Sequence, residues 1–342
     1  MEAGGAQGAA IRNAKKFIDK GLNSEVWFLY KKRGVYEDLD FTKSILNREP
    51  NNIFDYFYII FKLAIMLLRM KNVKLICYTH YANIIGGIVG RLCFVKRVVV
   101  SHRNPVDTYP KMCRYVDLII GCLGFYSSCI VVSKTVLDSF RDYPKSYKKR
   151  LKLIYNGIEL NVSNKPEREF STPTQFTITT TGRLHPQKNQ VVIIKAMLLV
   201  DKAKLIIAGD GELFEELSMF VKDNKLENRV YFKGEISPNE VNDLLCESDL
   251  FLFPSNYEAF GFSVVEAMAA GLPIICSDIP AMREIVSDSG IIVDKDDVNA
   301  WAENINYLLN TPNKRSELSK KALERAKLFS LENMTKGYLN EL

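Results

Sequence analysis

The feature that most constrains the fold of this chain is the alternation of short apolar runs with helical patterns along nearly all of its 342 residues. Continuous apolar runs rich in β-branched residues are typical of strands buried on both faces. Their alternation with helices predicts right-handed β-α-β units in parallel sheets, and therefore the α/β class. The predicted strands are Glu25–Tyr30, Leu75–Thr79, Arg97–Ser101, Ser128–Ser133, Leu151–Ile154, Thr174–Thr180, Ala203–Ala208, Arg229–Phe232, Leu250–Phe253, Pro273–Ser277 and Gly290–Val293. The predicted helices include Gln7–Lys20, Gln190–Leu199, Gly211–Asp223, Pro238–Glu247 and Asn299–Leu309.

One polar, proline-bearing segment without periodicity, Asn161–Gln175, interrupts this pattern and reads as an interdomain linker. The length of the chain is also about right for two domains. We therefore expect two doubly wound domains, 1–160 and 172–325, with a cleft between them. The last helix, 326–342, is expected to return to the first domain. Ligands of open parallel sheets bind beyond the carboxyl ends of the strands, so the loops there are the candidate site.

The loops lack two common phosphate-binding signatures. Ala208-Gly209-Asp210-Gly211 follows a predicted strand but lacks the third glycine of G-x-G-x-x-G, and no G-x-x-x-x-G-K-[ST] occurs. The sequence thus gives no support for nicotinamide or ATP chemistry, and we predict no cofactor.

Charge is distributed unevenly along the chain. Residues 1–160 carry 26 Lys and Arg against 13 Asp and Glu, a net charge of +13, and the remainder carries −7. Such asymmetry suggests that the first half faces something anionic, with nucleic acid and anionic lipid both as candidates. A solvated basic surface explains the charge equally well.

The apolar segments and the cysteines bear on where in the cell the protein is located. Ile53–Met70 is the most apolar segment, but Asp55 and Lys62 interrupt it, and a buried or membrane-facing helix fits it better than a spanning one. No secretory signal is expected from the N-terminus. Seven cysteines without a C-x-x-C pair suit reduced thiols in a cytosol, and with three histidines they make no convincing metal set.

The most informative run of residues is Pro254–Met268, where an apolar strand ends in a turn and an amphipathic helix begins near Phe260. Glu258 precedes this helix, and Glu266 is expected about two turns inside it. Gly261 allows close backbone approach, and the first-turn amides can donate to a ligand's oxygens. Two acids so placed can hold polyol groups at two points of an elongated ligand. Taken alone, the spacing fits a helix-terminal charge and a solvated helix residue as well.

A second run, Thr181–Asn189, directly follows a predicted strand. Arg183 and Lys188 flank a Gly/Pro turn, so both cations can point at one anion, and a phosphate site is favoured over a surface loop. A diphosphate leaving group needs such positive charge as its bond breaks.

Two weaker signals lie in the first half. Gly4-Gly5 precede a helical pattern, and paired glycines at a helix start permit close approach to a phosphate. His102 follows a predicted strand and begins a polar loop, a position suited to the cleft, although a lone histidine is often a structural residue.

These motifs, in this order, resemble those of the family-4 retaining glycosyltransferases, which have two facing Rossmann-like domains of the GT-B type. The resemblance covers almost the whole chain, and the Glu-x7-Glu pair Glu258–Glu266 followed by Ala267-Met268-Ala269-Ala270-Gly271 is its most specific part. The other matching segments are Gly4-Gly5-Ala6, Val131-Val132-Ser133-Lys134, Ile154–Glu159, Gly182-Arg183 with Lys188, Ala208–Gly211 and Ser248–Ser255.

The resemblance implies a role for each candidate residue. Arg183 and Lys188 would hold the donor diphosphate, Glu266 the ribose hydroxyls and Glu258 the transferred sugar. The amides of Phe260 and Gly261 look like sugar contacts. The remaining implied positions are Gly209 and Phe262 at the donor, Gly5 near donor phosphate and acceptor, and His102 as the catalytic histidine of the cleft.

The resemblance also implies the reaction. A sugar would pass from a nucleotide-diphosphate sugar, a UDP-sugar first and a GDP-sugar second, to a hydroxyl acceptor with retained anomeric configuration and without a metal. Family context suggests a lipid-linked saccharide acceptor, bound on the side of residues 1–160, in bacterial surface-polysaccharide assembly. The partners expected are thus the donor, the acceptor and an anionic membrane surface, with the protein peripheral on the cytoplasmic face and no nucleic acid bound.

The sequence departs from the family at its start. Members place a β-strand before the Gly-Gly loop, in the middle of the first sheet, whereas only Met1-Glu2-Ala3 precede Gly4 here. We expect the first strand to be missing, through truncation or a late start site, at a cost in stability and activity.

Two other function classes remain open from sequence alone. A sugar-nucleotide epimerase or phosphorylase can use the same architecture, and only product analysis with and without acceptor separates it from a transferase. A basic nucleic-acid-binding module fits the charge of the first half, but the chain lacks a recognisable nucleic-acid motif.

Overall fold

The computed structural model describes residues 5–32, 38–160 and 175–342. They form two compact units. The first ends at Gly157 and also contains Leu331–Leu342, while the second is Ile158–Ser330. Both contain parallel sheets with helices, so the predicted α/β class is confirmed. The predicted linker 161–175 lies outside the described residues except for Gln175, and so does Gly4.

The first unit contains six strands and seven helices among its described residues. The strands are β1 (Val26–Tyr30), β2 (Thr42–Leu46), β3 (Lys74–Cys77), β4 (Arg97–His102), β5 (Ser128–Val131) and β6 (Leu151–Leu153). The helices are α1 (Gly5–Asp19), α2 (Ile53–Arg69), α3 (His80–Leu92), α4 (Lys111–Cys122), α5 (Lys134–Asp138), α6 (Lys145–Lys148) and the C-terminal α14 (Leu331–Glu341), with a 3-10 turn at Val106–Thr108.

The sheet of the first unit is divided in two. Strands β3-β4-β5-β6 pair in parallel in that order, and β1 pairs in parallel only with β2. In the described part of the chain no strand pairs with both β1 and β3, so each has one strand edge without a ladder partner. The expectation that the family's first strand is missing before Gly4 concerns residues outside those described.

The two pieces of this sheet nevertheless share their packing. Trp27 of β1 and Leu75 of β3 pack against the same buried cluster, which includes Leu63 of α2 and Val89 of α3. On the opposite face α1 contacts β1, and Phe17 of α1 belongs to a cluster that Ile76 of β3 packs against. The two pieces are therefore held in one unit by side chains above and below them.

The second unit contains one six-stranded parallel sheet in the order β12-β11-β10-β7-β8-β9. Its strands are β7 (Phe176–Thr181), β8 (Ala203–Ala208), β9 (Val230–Gly234), β10 (Leu250–Phe253), β11 (Ile274–Ser277) and β12 (Ile291–Val293). Its helices are α7 (Gln190–Ala196), α8 (Phe214–Asp223), α9 (Pro238–Glu247), α10 (Phe262–Ala269), α11 (Pro280–Ile285), α12 (Val298–Asn310) and α13 (Pro312–Ala326), with 3-10 turns at Pro186–Lys188 and Lys327–Phe329.

The predicted strands are all present, with limits that are unchanged or shifted by one or two residues. The strand that the sequence analysis missed is β2, because its short run includes Lys43 and Ser44 and offers no continuous apolar pattern. In the described ranges no helix is long and apolar enough to cross a membrane.

Candidate active site

The strand order of the second unit places two loops side by side. β7 lies next to β10 in the middle of the sheet, and the chain proceeds from β7 outward in one direction and from β10 in the other. Such a reversal point is where open α/β sheets bind ligands, beyond the carboxyl ends of the strands. The Asp249 carboxylate accepts a hydrogen bond of 2.8 Å from the Thr177 amide and fixes the start of β10 against β7.

At this point the side chains of Lys188 and Glu258 form an ion pair. Lys188 ends the 3-10 turn after β7, and Glu258 lies in the loop after β10. Both side chains are largely buried, with 18% and 12% of their surface exposed. The Lys188 ammonium also lies 5.0 Å from the centre of the Phe253 ring, and Ser255 Oγ donates to Glu258 Oε1 at 3.3 Å. The pair thus joins the two loops in a partly desolvated setting, where charge interactions are stronger than in water.

Backbone and amide hydrogen bonds hold the same two loops together. The Asn256 amide donates to the Gln187 carbonyl at 2.8 Å, and Asn256 Nδ2 donates to the Pro186 carbonyl at 2.8 Å. Gln187 Nε2 in turn donates to the Tyr257 carbonyl at 3.0 Å. These bonds preset the spacing between Lys188 and Glu258.

Gly209, after β8, brings a third loop against the first. Its φ of +144° and that of Gly182, +148°, are conformations that glycine adopts readily. A Cβ on Gly209 would lie 2.1 Å from the Gly182 carbonyl oxygen. Only glycine therefore lets the β7 and β8 loops approach so closely, immediately beside Arg183.

Arg183 itself is exposed, unlike Lys188. Its carbonyl accepts a hydrogen bond of 3.0 Å from the buried Gln190 Nε2, which fixes the backbone of the turn. Among the described residues no carboxylate forms a salt bridge with Arg183. The site therefore combines one cation paired with an acid and one cation whose guanidinium faces solvent.

The loop after β10 ends at Gly261, the N-cap of α10, with φ +92° and no capping side chain. The helix begins at Phe262, two residues later than predicted, so Glu266 lies in its second turn and is half-buried. Phe260 is buried and its ring packs 5.3 Å from that of Phe262. The backbone amides of the first turn of α10 therefore directly follow the loop that contains Glu258.

His102, in the first unit, differs from the expectation of a histidine facing a cleft. It is the last residue of β4 and is 0% exposed. Its Nε2 is 2.9 Å from the Tyr147 hydroxyl and its Nδ1 is 3.4 Å from the Tyr109 hydroxyl. Burial lowers the pKa of His102, so the neutral ring is favoured. Side chains from other elements enclose it, and no local sequence pattern announces that.

The buried network continues to an acid that sequence reasoning missed. The Asp117 carboxylate accepts hydrogen bonds from Tyr126 at 2.8 Å and from Tyr147 at 2.7 Å. Because the Tyr147 proton goes to Asp117, the Tyr147 oxygen accepts from His102 Nε2, which sets the tautomer of the imidazole. His102 is thereby held as a hydrogen-bonded structural group.

The structure thus brings Lys188 and Glu258 together and places Arg183, Gly209 and Gly261 on the loops around them. Phe260, Phe262 and Glu266 follow on the same loop and α10, and the first unit contains two further candidates, the buried His102 and the exposed Gly5 at the start of α1. Sequence reasoning overlooked the supporting residues Ser255, Gln187 and Gln190, although Ser255 three positions before Glu258 was a usable signal. In the described ranges no three His, Cys, Asp or Glu side chains form a group that could hold a metal.

The fold is that of solved GT-B glycosyltransferases. The crystal structure of HepE from Anabaena in complex with UDP has a TM-score of 0.85 and 20% sequence identity, with 99% of this chain and 96% of that chain covered. This likeness shows the fold.

The family comparison concerns mainly the second unit. Residues 162–325, a little under half of the chain, match the family Glycosyl transferases group 1.

Two curated relatives align over part of the chain. O-antigen chain mannosyltransferase B from Escherichia coli is 30% identical over 165 residues, 46% of this chain and 43% of the relative. The Campylobacter jejuni N-acetylgalactosamine-N,N'-diacetylbacillosaminyl-diphospho-undecaprenol 4-alpha-N-acetylgalactosaminyltransferase is 29% identical over 199 residues, 57% of this chain and 54% of the relative. The chain thus aligns with about half the length of these two relatives.

Proposed function

We propose that this protein is a retaining glycosyltransferase. It moves a sugar from a nucleotide-diphosphate sugar, with a UDP-sugar as first candidate and a GDP-sugar as second, to a hydroxyl of a lipid-linked saccharide. The observation on which the proposal mainly rests is the Lys188–Glu258 ion pair beside Arg183, at the reversal point of the second sheet. Donor binding is assigned to the second unit and acceptor binding to residues 1–160.

The electrostatics of the pair suit a donor that has both a diphosphate and a sugar. A lysine ammonium has three N–H donors, so Lys188 can keep its contact with Glu258 and still donate to phosphate oxygens. Arg183 adds a planar group that binds phosphate in a bidentate way. Glu258 accepts hydrogen bonds from sugar hydroxyls beside the phosphate that Lys188 neutralises. A site with cations alone would bind phosphates without this preference for a sugar.

The remaining candidates complete the donor site. Glu266 accepts from the ribose hydroxyls, and the amides of Phe260 and Gly261 contact the sugar. Gly209 and Phe262 form further donor contacts, and Gly5 stays a predicted contact of phosphate and acceptor. We assign no proton transfer to His102, because its ring is enclosed and both nitrogens have hydroxyl partners.

The proposed reaction breaks one bond and forms one. The bond between the anomeric carbon and the phosphate oxygen breaks, and its electron pair leaves with the diphosphate. The acceptor oxygen bonds to the anomeric carbon on the same face, so the configuration is retained. The acceptor proton passes to a phosphate oxygen of the leaving group. Arg183 and Lys188 stabilise the negative charge that develops on that leaving group.

Relatives support the choice of ligands. HepE was solved with UDP, and the Campylobacter relative is named for transfer onto a diphospho-undecaprenol-linked sugar. The O-antigen relative supports a role in surface-polysaccharide assembly. We further propose that the protein works on the cytoplasmic face of a membrane as a peripheral protein, because residues 1–160 are strongly basic and a lipid-linked acceptor lies there.

The test begins with calorimetric titration of UDP and GDP, followed by a panel of UDP- and GDP-sugars with a diphospho-polyprenyl saccharide acceptor. We expect UDP to bind more tightly than GDP. We also expect product only when acceptor is present. NMR coupling constants should show that the new glycosidic bond has the same anomeric configuration as the donor. Donor altered without acceptor would identify an epimerase, inverted product would refute retention, and binding of neither nucleotide would refute the donor site.

A further inference from the structure

Helix α2 exposes an apolar face that no part of the described chain covers. Its buried residues form a single row along the helix, with one residue per turn: Asp55, Ile59, Leu63 and Leu67. Around it, Phe54, Phe57, Phe61 and Leu68 expose 76%, 63%, 66% and 64% of their surface. Exposed apolar patches of this kind mark protein or membrane interaction sites.

The apolar surface continues beyond the end of α2. Cys93 Sγ lies 3.7 Å from the Ala64 carbonyl, which sets the turn after α3 against the middle of α2. A pocket of about 180 Å³ between them is lined by residues that include Met70 and Phe94. Phe94, with φ +60°, is 87% exposed, and Leu92 beside it is 67% exposed. We define the α2 face as Phe54, Phe57, Phe61, Leu68, Met70, Leu92 and Phe94.

Exposed cations lie at the ends of α2 and α3 and just after them in the chain, next to Met70, Leu92 and Phe94 of the α2 face. Residues 53–97 contain seven Lys or Arg and a single acid, Asp55. That acid accepts two hydrogen bonds of 2.7 Å from the Arg48 guanidinium, so its charge is neutralised within the unit. Six of the seven cations are exposed: Arg69, Lys71, Lys74, Arg91, Lys96 and Arg97. Among the described residues none of these six forms a salt bridge with a carboxylate.

The combination of charge and apolar surface selects the partner. A second copy docked through the α2 face would bring two sets of like charges together, which is unfavourable. Nucleic acid would use the cations but leave the phenylalanines in water. An anionic bilayer satisfies both, because apolar side chains enter the acyl boundary while Lys and Arg contact the headgroups.

We propose that the α2 face binds an anionic lipid bilayer, with α2 lying in the plane of the interface and Phe54, Phe57 and Phe61 inserted. The inference rests on the membrane attachment included in the proposed function and assigns that attachment to a defined surface. α2 has 17 residues and Asp55 and Lys62 within it, which agrees with lying on a membrane.

The test uses the full chain and vesicles of phosphatidylglycerol and phosphatidylcholine in equal parts, with pure phosphatidylcholine for comparison. Co-sedimentation measures the partition coefficient. We expect Phe57→Ser/Phe61→Ser to lower it at least tenfold on the mixed vesicles. Lys71→Glu/Arg97→Glu should weaken binding at low salt and remove most of its salt dependence. The matched control is Leu199→Ser/Met219→Ser, which changes two apolar residues of the second unit with 53% and 62% exposure and should bind like the unsubstituted chain.

Melting temperature and UDP affinity are measured for each variant. Unchanged values with lost vesicle binding support the inference. Vesicle binding that survives both double substitutions overturns it, as does a concentration-dependent dimer that the serine variant alone abolishes. If vesicle binding contradicts the inference while UDP still binds, the proposed donor site is unaffected. If the unsubstituted chain does not bind UDP, the proposed donor site is refuted whatever the vesicle result.

Discussion

The side chains of Lys188 and Glu258 contact each other although 70 residues separate them in the chain. The contact arises because β7 and β10 are neighbours in the second sheet, so the loops at their carboxyl ends meet. Gln187, Asn256 and Ser255 hold the two loops in place. The pair is thus a property of strand order, and the first two predictions follow from it.

We expect Lys188→Ala and Arg183→Ala each to lower turnover roughly a hundredfold or more at saturating donor, because each removes charge that stabilises the leaving diphosphate. Lys188→Ala should be the more severe, since it also leaves the largely buried Glu258 carboxylate without its cation. Steady-state kinetics with an acceptor-dependent assay measures this. Unchanged turnover in both variants would contradict the assigned roles.

The two acids of the Glu-x7-Glu pair should separate by function. Glu266→Ala is expected to weaken UDP binding, because Glu266 is assigned to the ribose. Glu258→Ala should leave UDP affinity intact or higher while impairing transfer, since it releases Lys188 for the phosphates. Calorimetry with UDP alone, where no sugar is present, distinguishes the variants. Equal losses of UDP affinity would refute the division.

Gly209→Ala should destabilise the second unit by about 3 kcal/mol or more, because the new methyl group meets the Gly182 carbonyl and the φ is unfavourable. Gly234→Ala is the matched control. Gly234 also has a positive φ, +69°, and its carbonyl accepts a hydrogen bond from the Gly209 amide. A Cβ added at Gly234, however, meets nothing within 4 Å. That variant should lose about 1–2 kcal/mol. Urea unfolding measures both, and equal losses would show that the close approach is unimportant.

The first unit should lose stability as the pH falls through about 6.5, the ordinary pKa of histidine. Burial lowers the folded-state pKa of His102, so below 6.5 the unfolded chain binds a proton that the folded chain does not. The loss is about 1.4 kcal/mol per pH unit until the lowered folded pKa is reached. Half-buried His80, whose pKa burial also lowers, contributes in the same direction.

Hydrogen exchange of β4 and α4 amides between pH 8 and 5.5 follows this loss in the first unit. His102→Gln should reduce the pH slope, and His80→Gln, alone and combined with it, gives the contribution of the second ring. A slope that His102→Gln leaves unchanged would mean that His102 does not control the pH response.

The divided sheet of the first unit predicts a gain from an added strand. Fusing a β-branched strand and a turn before residue 1 should provide partners for the edges of β1 and β3, since unpaired backbone groups near a core are costly. We expect a higher melting temperature, better solubility and slower amide exchange at β1 and β3. A Gly/Ser extension of equal length is the control. A chain that already melts cooperatively, and gains no more from the strand than from the control, would contradict the expectation.

The sequence by itself determined the α/β class and every strand except β2, and it placed the predicted site residues Glu258 and Arg183 in loops that follow strands. These are local properties: Leu250–Phe253 reads as a buried strand from its own side chains, and Glu258 and Arg183 follow strands by simple adjacency. Strand β2 escaped because a short run with Lys43 and Ser44 has no such local signature.

Only the tertiary structure decided which of these groups meet. Lys188 reaches Glu258 because β10 pairs with β7, and strand pairing depends on burial summed over the whole sheet rather than on any local pattern. His102 follows a strand just as Arg183 does, yet Tyr109 and Tyr147 enclose it from other elements. Likewise, periodicity alone could not decide whether α2 is covered. Its apolar residues look the same in a core and on an exposed face, and only the packing of its neighbours separates the two cases.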